Sequence, residues 1–424
     1  MSDDPIRAAS KALRVDLLAR SDRLQDSLAE IHGDIAVNMG ARWRNGPAGE
    51  IAEWVVVPET DGVTNRSREL ARSSIIGGTT MEHYAGIDVS VESASVCVMD
   101  AMGRIVREGK VASEPASLIG WFRALGFELT RIGLEAGPLS QWLYAGMRDA
   151  GLAVELLETR HVRDAFKAMP VKTDRKDARG IAHLMRLGWF RPVHCKSLPA
   201  QETRALLTAR KLMQSKRHDI EMSLRGILRG FGLKVGKTSQ RTFESRVREL
   251  VASHPTLLSM AEALLVARAA LSEQLGRLEK RVRMLARDDQ QVRRLMSTPG
   301  VGAIVALTYV AAIDEPARFR SSKAVGAHFG LTPKKYQSGE TDVTGRISKI
   351  GDADARTVLY EAANVILTRP VKGSALKSWA MRLAARAGMR KAKVALARKL
   401  AVVLHRMLVD GTTFIADRAA TARA

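Results

Sequence analysis

A mixed α/β sheet domain followed by a largely helical half is the fold class this sequence predicts, and three observations predict it. Short runs of alternating apolar residues between positions 84 and 111 read as three consecutive strands. Between 115 and 157 helical and strand patterns alternate. Beyond about residue 200 no convincing strand appears for well over a hundred residues, while helical periodicity continues.

The first 80 residues differ from the rest. Residues 16–35 have a helical pattern, and Trp54-Val55-Val56-Val57-Pro58 that of a short strand. Residues 60–80 turn polar, with Ser73, Ser74, Gly77 and Gly78, as a linker does. This stretch is either a small accessory extension or sequence ahead of a working start at Met81, and the second reading is preferred. From residue 84 the elements follow quickly: strands at 84–90 and 95–100, a turn at Asp100-Ala101-Met102-Gly103, and a third strand at 104–111. A helix at 115–125, a strand at 130–135, a helix at 139–150 and a strand at 153–157 come next. Three antiparallel strands followed by alternating β and α is the order of an RNase H-like sheet.

Residues 200–230 read as one helix. In a second helical segment Leu257, Ala261, Leu264, Arg268, Leu271, Leu275, Leu278, Val282 and Leu285 recur in steps of 4 and 3, the spacing of a heptad seam. Either a helical hairpin packed on its own chain or a coiled coil between protomers fits that spacing. The expected organisation is an extension (1–80), a sheet domain (81–195), a helical, coiled-coil-like segment (196–292), an α-rich C-terminal domain (293–416) and a short tail (417–424).

Composition narrows the class. With 46% hydrophobic residues the 424-residue chain has ample material for a core, which excludes wholesale disorder. Cys97 and Cys195 are too few for a disulfide scaffold or a structural zinc site and suit a reducing compartment. The longest near-apolar run, residues 301–313, is shorter than the roughly 20 residues of a membrane span, and the acidic start is unlike a secretory signal. The expectation is a soluble, intracellular protein with no membrane partner. Charge is the strongest signal, at +22. Residues 1–80 carry 10 basic and 12 acidic side chains, 81–195 carry 15 and 14, and 196–424 carry 42 and 19. The whole excess lies in the second half, and such a field attracts polyanions, nucleic acid above all.

Four carboxylates stand out. Asp88 lies in the first apolar strand, where an unpaired charge is costly, and Glu135 closes another strand before Ala136-Gly137-Pro138. Asp174 and Asp177 are three apart at the start of a helix, hence on one face. Oxygen ligands from several elements are what hard divalent cations take, and two-ion sites serve displacement at phosphorus. Singly, Asp174 is also an ordinary N-cap candidate and Asp177 an ordinary solvated position. Ser338 sits in what reads as a flexible, Gly-bounded loop beside Lys334 and Lys335, followed by Arg346 and Lys349. A serine hydroxyl needs activation to act as a nucleophile and is common in loops, so spacing alone leaves both readings open. Thr298-Pro299-Gly300-Val301-Gly302 opens an apolar helix, as a phosphate-binding turn or a plain tight turn would. Arg390, Lys391, Lys393, Arg398, Lys399 and Arg406 form a solvated or phosphate-tracking face.

Together these motifs resemble the DEDD recombinases of bacterial insertion sequences, the insertion sequence one-ten family. The resemblance rests on Tyr84-Ala85-Gly86-Ile87-Asp88, Leu134-Glu135-Ala136-Gly137, Lys172-Thr173-Asp174-Arg175-Lys176-Asp177, Pro299-Gly300-Val301-Gly302, Gly330-Leu331-Thr332-Pro333 and Tyr336-Gln337-Ser338-Gly339, in family order over residues 81–416. It implies a RuvC-like domain with Asp88, Glu135, Asp174 and Asp177 as ligands of Mg²⁺ (two ions), and a C-terminal transposase domain with Ser338 as nucleophile. It further implies DNA partners (element ends and target), a guiding bridge RNA, a tetramer whose composite sites draw on different protomers, and action in the bacterial cytoplasm at the nucleoid. Two other readings stay open: a RuvC-like, metal-dependent, structure-specific nuclease using water, and a catalytically silent nucleic-acid-binding remnant of a mobile element.

Overall fold

The computed structural model describes residues 81–167, 173–370 and 374–416. The helix, strand and linker expected within residues 1–80, Lys172 and the tail 417–424 lie outside the described residues. β1 (His83–Val89), β2 (Ser93–Asp100) and β3 (Ile105–Ala112) form an antiparallel meander. α1 (Pro115–Arg123), β4 (Arg131–Glu135), α2 (Ser140–Asp149), β5 (Val154–Leu157), α3 (Thr159–Phe166) and α4 (Asp174–Leu187) follow. The sheet order is β3-β2-β1-β4-β5, with β4 parallel to β1 and β5 parallel to β4. That is the RNase H-like arrangement.

The sheet is covered on both faces, which is why its central strands are nearly all apolar. Ala85, Ile87, Ile132 and Leu134 pack with Leu118 and Phe122 of α1 and Leu143 and Met147 of α2. On the opposite face Tyr84, Cys97 and Met99 meet Ala178, Ile181, Ala182 and Met185 of α4.

α5 (Leu198–Gly230), α6 (Phe243–Val251) and α7 (Pro255–Asp288) form the helical middle. α7 packs along α5 of the same chain. The seam departs from the strict heptad: Leu265 and Ala286 are buried where Leu264 and Leu285 were expected, and Leu271 and Leu278 are half-buried. A straight helix repeats every 3.6 residues, so its buried stripe drifts off a 3.5-residue pattern. Arg268, at the centre of the seam, is buried between Glu221 (2.8 Å) and Glu244 (2.7 Å) and lies over the Phe243 ring. By length and composition alone α7 could cross a membrane, but the buried, ion-paired Arg268 sits where α7 packs against α5 and α6.

α8 (Gln290–Met296), α9 (Ala303–Ile313), a 3₁₀ turn (Pro316–Arg318), α10 (Ala324–His328), β6 (Pro333–Ser338), β7 (Thr341–Ile347), α11 (Ala353–Thr368), α12 (Ala375–Ala387) and α13 (Met389–Asp410) complete the chain. Their core is centred on Tyr309, Phe329, Leu359, Ile366, Leu396 and Leu404, and it takes in Val282 and Ala286 of α7. The hairpin of β6 and β7 is a departure from the sequence reading, which took this stretch for a flexible loop. Tyr336, Val343 and the threonines of β7 favour strand, and the two-residue connection Gly339-Glu340 closes them, with Gly339 at φ +54°.

A strained joint links the sheet domain to this core. Asp314 adopts φ +63°, ψ −74°, and Glu315 N–H donates to Ile313 O at 2.9 Å, closing a γ-turn. Such a backbone costs about 1–3 kcal/mol. The Asp314 carboxylate compensates by accepting from Ser197 N–H (2.8 Å) and Ser197 Oγ (2.5 Å) and pairing with His194 Nε2 (2.6 Å).

Candidate active site

The acidic residues are positioned by two glycines. Gly86 and Gly133 are register partners on β1 and β4, and both face α4. A Cβ on Gly86 would lie 2.3 Å from Ala178 O, and one on Gly133 would lie 2.6 Å from Ile181 Cγ2. Side chains alternate along a strand, so Asp88 and Glu135, two residues further on, project from this same face at the C-terminal ends of β1 and β4.

α4 runs antiparallel to β1, since Arg186 near its end donates to Ala101 O at the opposite end of the sheet. Its N-terminus therefore lies at the acidic end. Thr173 caps the helix through Oγ1 and Lys176 N–H (3.3 Å), which leaves Asp174 and Asp177 in the first turn. The N-cap reading of Asp174 is thus corrected: the cap is its neighbour. The positive end of the helix dipole favours both carboxylates there. Asp88, Glu135 and Asp177 are half-buried and Asp174 is exposed.

A feature that sequence reasoning missed holds this helix down. Glu108 of β3 accepts from Arg179 Nε (2.5 Å) and from Arg175 Nε and Nη2 (2.8 and 2.5 Å). Hydrogen bonding to Arg179 and Arg175 pulls the Glu108 carboxyl down to about 2, against the desolvation that opposes it. The spacing of Arg175 and Arg179, i and i+4, was the available signal.

An oxygen-only donor set drawn from β1, β4 and α4 fits a hard divalent cation in its chemistry. Among the described residues no group of three or more His, Cys, Asp or Glu side chains is placed so that it could hold a metal ion. Asp88 and Glu135 stand at the C-terminal ends of β1 and β4, on the face that α4 covers, and Asp174 and Asp177 lie in the first turn of α4.

Ser338 is not gathered into that end. It is the last residue of β6, paired with Thr341, at the tip of a hairpin whose β6 residues are all exposed. Lys335 pairs with Asp342 across the hairpin at 3.2 Å, and Lys334 and Arg346 are exposed beside it. The base is tied down by Arg356, whose Nη1 lies 3.0–3.2 Å from Phe329 O, Ile350 O, Gly351 O and Asp352 O and shares its two N–H groups among them. Lys349 lies exposed at this base with φ +56°.

Gly300 has a packing reason of its own: at φ +77°, its Cβ would lie 2.8 Å from Ala362 O of α11. Gly302 is the N-cap of α9, and a Cβ there would meet nothing within 4 Å. Arg390 and Lys391 are exposed and Lys393 half-buried in the first turns of α13. Cations at the positive end of a helix gain nothing from its dipole, so helix stability does not account for them.

The sheet order and its acidic strand ends define the class, an RNase H-like domain joined to a helical C-terminal region. Two family models match the chain: a DEDD-type transposase model over residues 85–232, and the model described as transposase IS116/IS110/IS902 family over residues 292–396. Together they span more than half of the chain, which belongs to the IS116/IS110/IS902 family of transposases. The first match includes Asp88, Glu135, Asp174 and Asp177, and the second includes Ser338.

Among similar proteins, the transposase for insertion sequence element IS1111A of Coxiella burnetii is 28% identical over 336 residues, covering 78% of this chain and 90% of the relative. A probable family 20 transposase of Pseudomonas aeruginosa is 26% identical over 289 residues, covering 67% and 85%. A solved structure of T. thermophilus RuvC in complex with a Holliday junction substrate aligns over 26% of this chain and 99% of its own, at 17% identity and a TM-score of 0.21.

Proposed function

We propose that this transposase cuts and rejoins DNA strands at the ends of an insertion sequence and at its target, using Mg²⁺ and Ser338 as the nucleophile. One observation carries the reading: Asp88 and Glu135 directly follow the register partners Ile87 and Leu134 on parallel β1 and β4, on the sheet face covered by α4, whose first turn bears Asp174 and Asp177. These four residues would hold the metal, which when bound supplies positive charge against the phosphoryl oxygens.

Ser338 Oγ attacks phosphorus as its proton passes to water; an Oγ–P bond forms, the bond from phosphorus to the sugar oxygen breaks, and the departing oxygen keeps the electron pair and takes a proton from water. The hairpin tip gives the hydroxyl an open approach, and Lys334 nearby helps hold the phosphate anion. An exposed serine outside the acidic end favours a composite site in which the hairpin of one protomer serves the acids of another, within a homotetramer. DNA at the element ends and target, paired through a guiding bridge RNA, is the substrate, encountered at the nucleoid in the bacterial cytoplasm.

The test is denaturing electrophoresis of a stalled cleavage reaction. A protein band shifted by covalently attached DNA, absent in Ser338→Ala, supports the proposal. Cut ends with no shifted band, persisting in Ser338→Ala, would favour the water-using nuclease. No cleavage under any metal condition would favour the silent binding protein.

A further inference from the structure

Away from the acids and the serine hairpin, a cavity of about 530 Å³ opens between α5, α7 and the connection 231–242. Two of its charged wall residues are already neutralised. Glu279 accepts from Arg210 Nη2 at 2.8 Å, and Arg268 is held by Glu221 and Glu244. Arg217 and Arg241 remain. Among the described residues neither has a hydrogen-bond or ion-pair partner, and Arg217 Nε is shut off from solvent with no acceptor.

The neutral lining suits an anion as well. Gln214 Oε1 accepts from Arg210 Nη1 at 2.9 Å, which leaves its amide N–H groups as donors. Gln240 O accepts from Arg268 Nη2 at 3.3 Å, pinning the connection next to Arg241. Gly276 lines the cavity from the interior of the 34-residue helix α7, where glycine is a poor choice. A Cβ there would meet nothing within 4 Å, so packing does not require the glycine.

We infer that this cavity seats a backbone phosphate of a nucleic-acid strand, with Arg217 and Arg241 supplying the charge and Gln214 a neutral donor. Guanidinium forks match phosphate oxygens, and the volume admits a nucleotide unit rather than a lone ion. The excess of 42 basic over 19 acidic residues in 196–424 favours a polyphosphate strand over the carboxylates of a protein. The inference rests on the nucleic-acid reading above and adds a contact outside both catalytic elements.

The experiment uses the full chain, the double variant Arg217→Gln/Arg241→Gln, and Gly276→Leu, which fills the cavity while keeping its charge. Each is titrated with a mixed-sequence DNA duplex and a folded RNA over a salt series, with circular dichroism to check the fold. Affinity should fall about tenfold in both variants for whichever nucleic acid occupies the cavity. In the double variant the slope of log K against log salt should also become shallower by about one. Unchanged binding of both nucleic acids overturns the inference. So does weakening in the double variant alone, because the arginines would then act from the surface rather than within the cavity. Failure of the wild-type chain to bind either probe would instead overturn the nucleic-acid reading itself.

Discussion

Gly86 on β1 approaches α4 so closely that a Cβ would stand 2.3 Å from the carbonyl oxygen of Ala178. The strand and the helix are in backbone contact there, and this contact sets how closely α4 lies on the sheet. Gly86→Ala should therefore displace α4 and destabilise the fold by about 1–3 kcal/mol, the usual range for overpacking. Chemical denaturation reads the loss. DNA strand exchange should fall with it, even at temperatures where the variant stays folded.

Asp174→Asn keeps the size of the side chain and removes its charge. If Asp174 holds the metal as proposed, strand exchange should be abolished while the fold and nucleic-acid binding persist. Full activity in Mg²⁺ would remove Asp174 from the ligand set.

Glu108 makes a pH-dependent contribution. Its folded-state carboxyl lies at about 2, below the ordinary 4.5, because Arg179 and Arg175 hold the charged form. A depressed carboxyl stabilises the fold fully above the unfolded value and loses that contribution as pH falls toward the folded one. Glu108→Gln should be less stable than wild type at pH 7. The gap between their urea midpoints should narrow from about pH 4.5 downward. A constant gap down to pH 3 would mean that the contact is not ionic in origin.

Arg356 gathers four carbonyl oxygens at the base of the serine hairpin. Arg356→Leu should cost about 2 kcal/mol, the scale of hydrogen bonds made by a charged group. Hydrogen exchange should rise selectively over β6 and β7. Strand cleavage should fall more than nucleic-acid affinity, since the serine is less well held. Equal losses in both would mean that the hairpin serves binding alone.

Asp314→Ala should be more damaging than Asp314→Gly. Both lose the contacts with Ser197 and His194, but only alanine must keep a side chain at φ +63°. Melting temperatures of the two variants test the order.

The five strands of the sheet and the long helices could be read in the sequence because each follows a local period, two along β1 and β4 and about 3.6 along α5 and α7. Asp88, Glu135, Asp174 and Asp177 stood out because acids are rare in apolar strands and paired acids at a helix start share a face. How closely α4 lies over the face that carries Asp88 and Glu135 was a question of tertiary packing. It was decided by the absent side chains of Gly86 and Gly133, which let α4 descend onto the sheet. The Glu108 clamp joins residues 67 and 71 positions apart, and the Asp314 anchor reaches 117 and 120 positions back to Ser197 and His194. No local pattern encodes such pairs. The serine hairpin lay between the two cases: its strand formers and two-residue turn were present, but glycines and lysines around them imitated a loop. Periodicity is a property of neighbours along the chain, whereas hydrogen bonds and ion pairs depend on distances that exist only once the chain has packed.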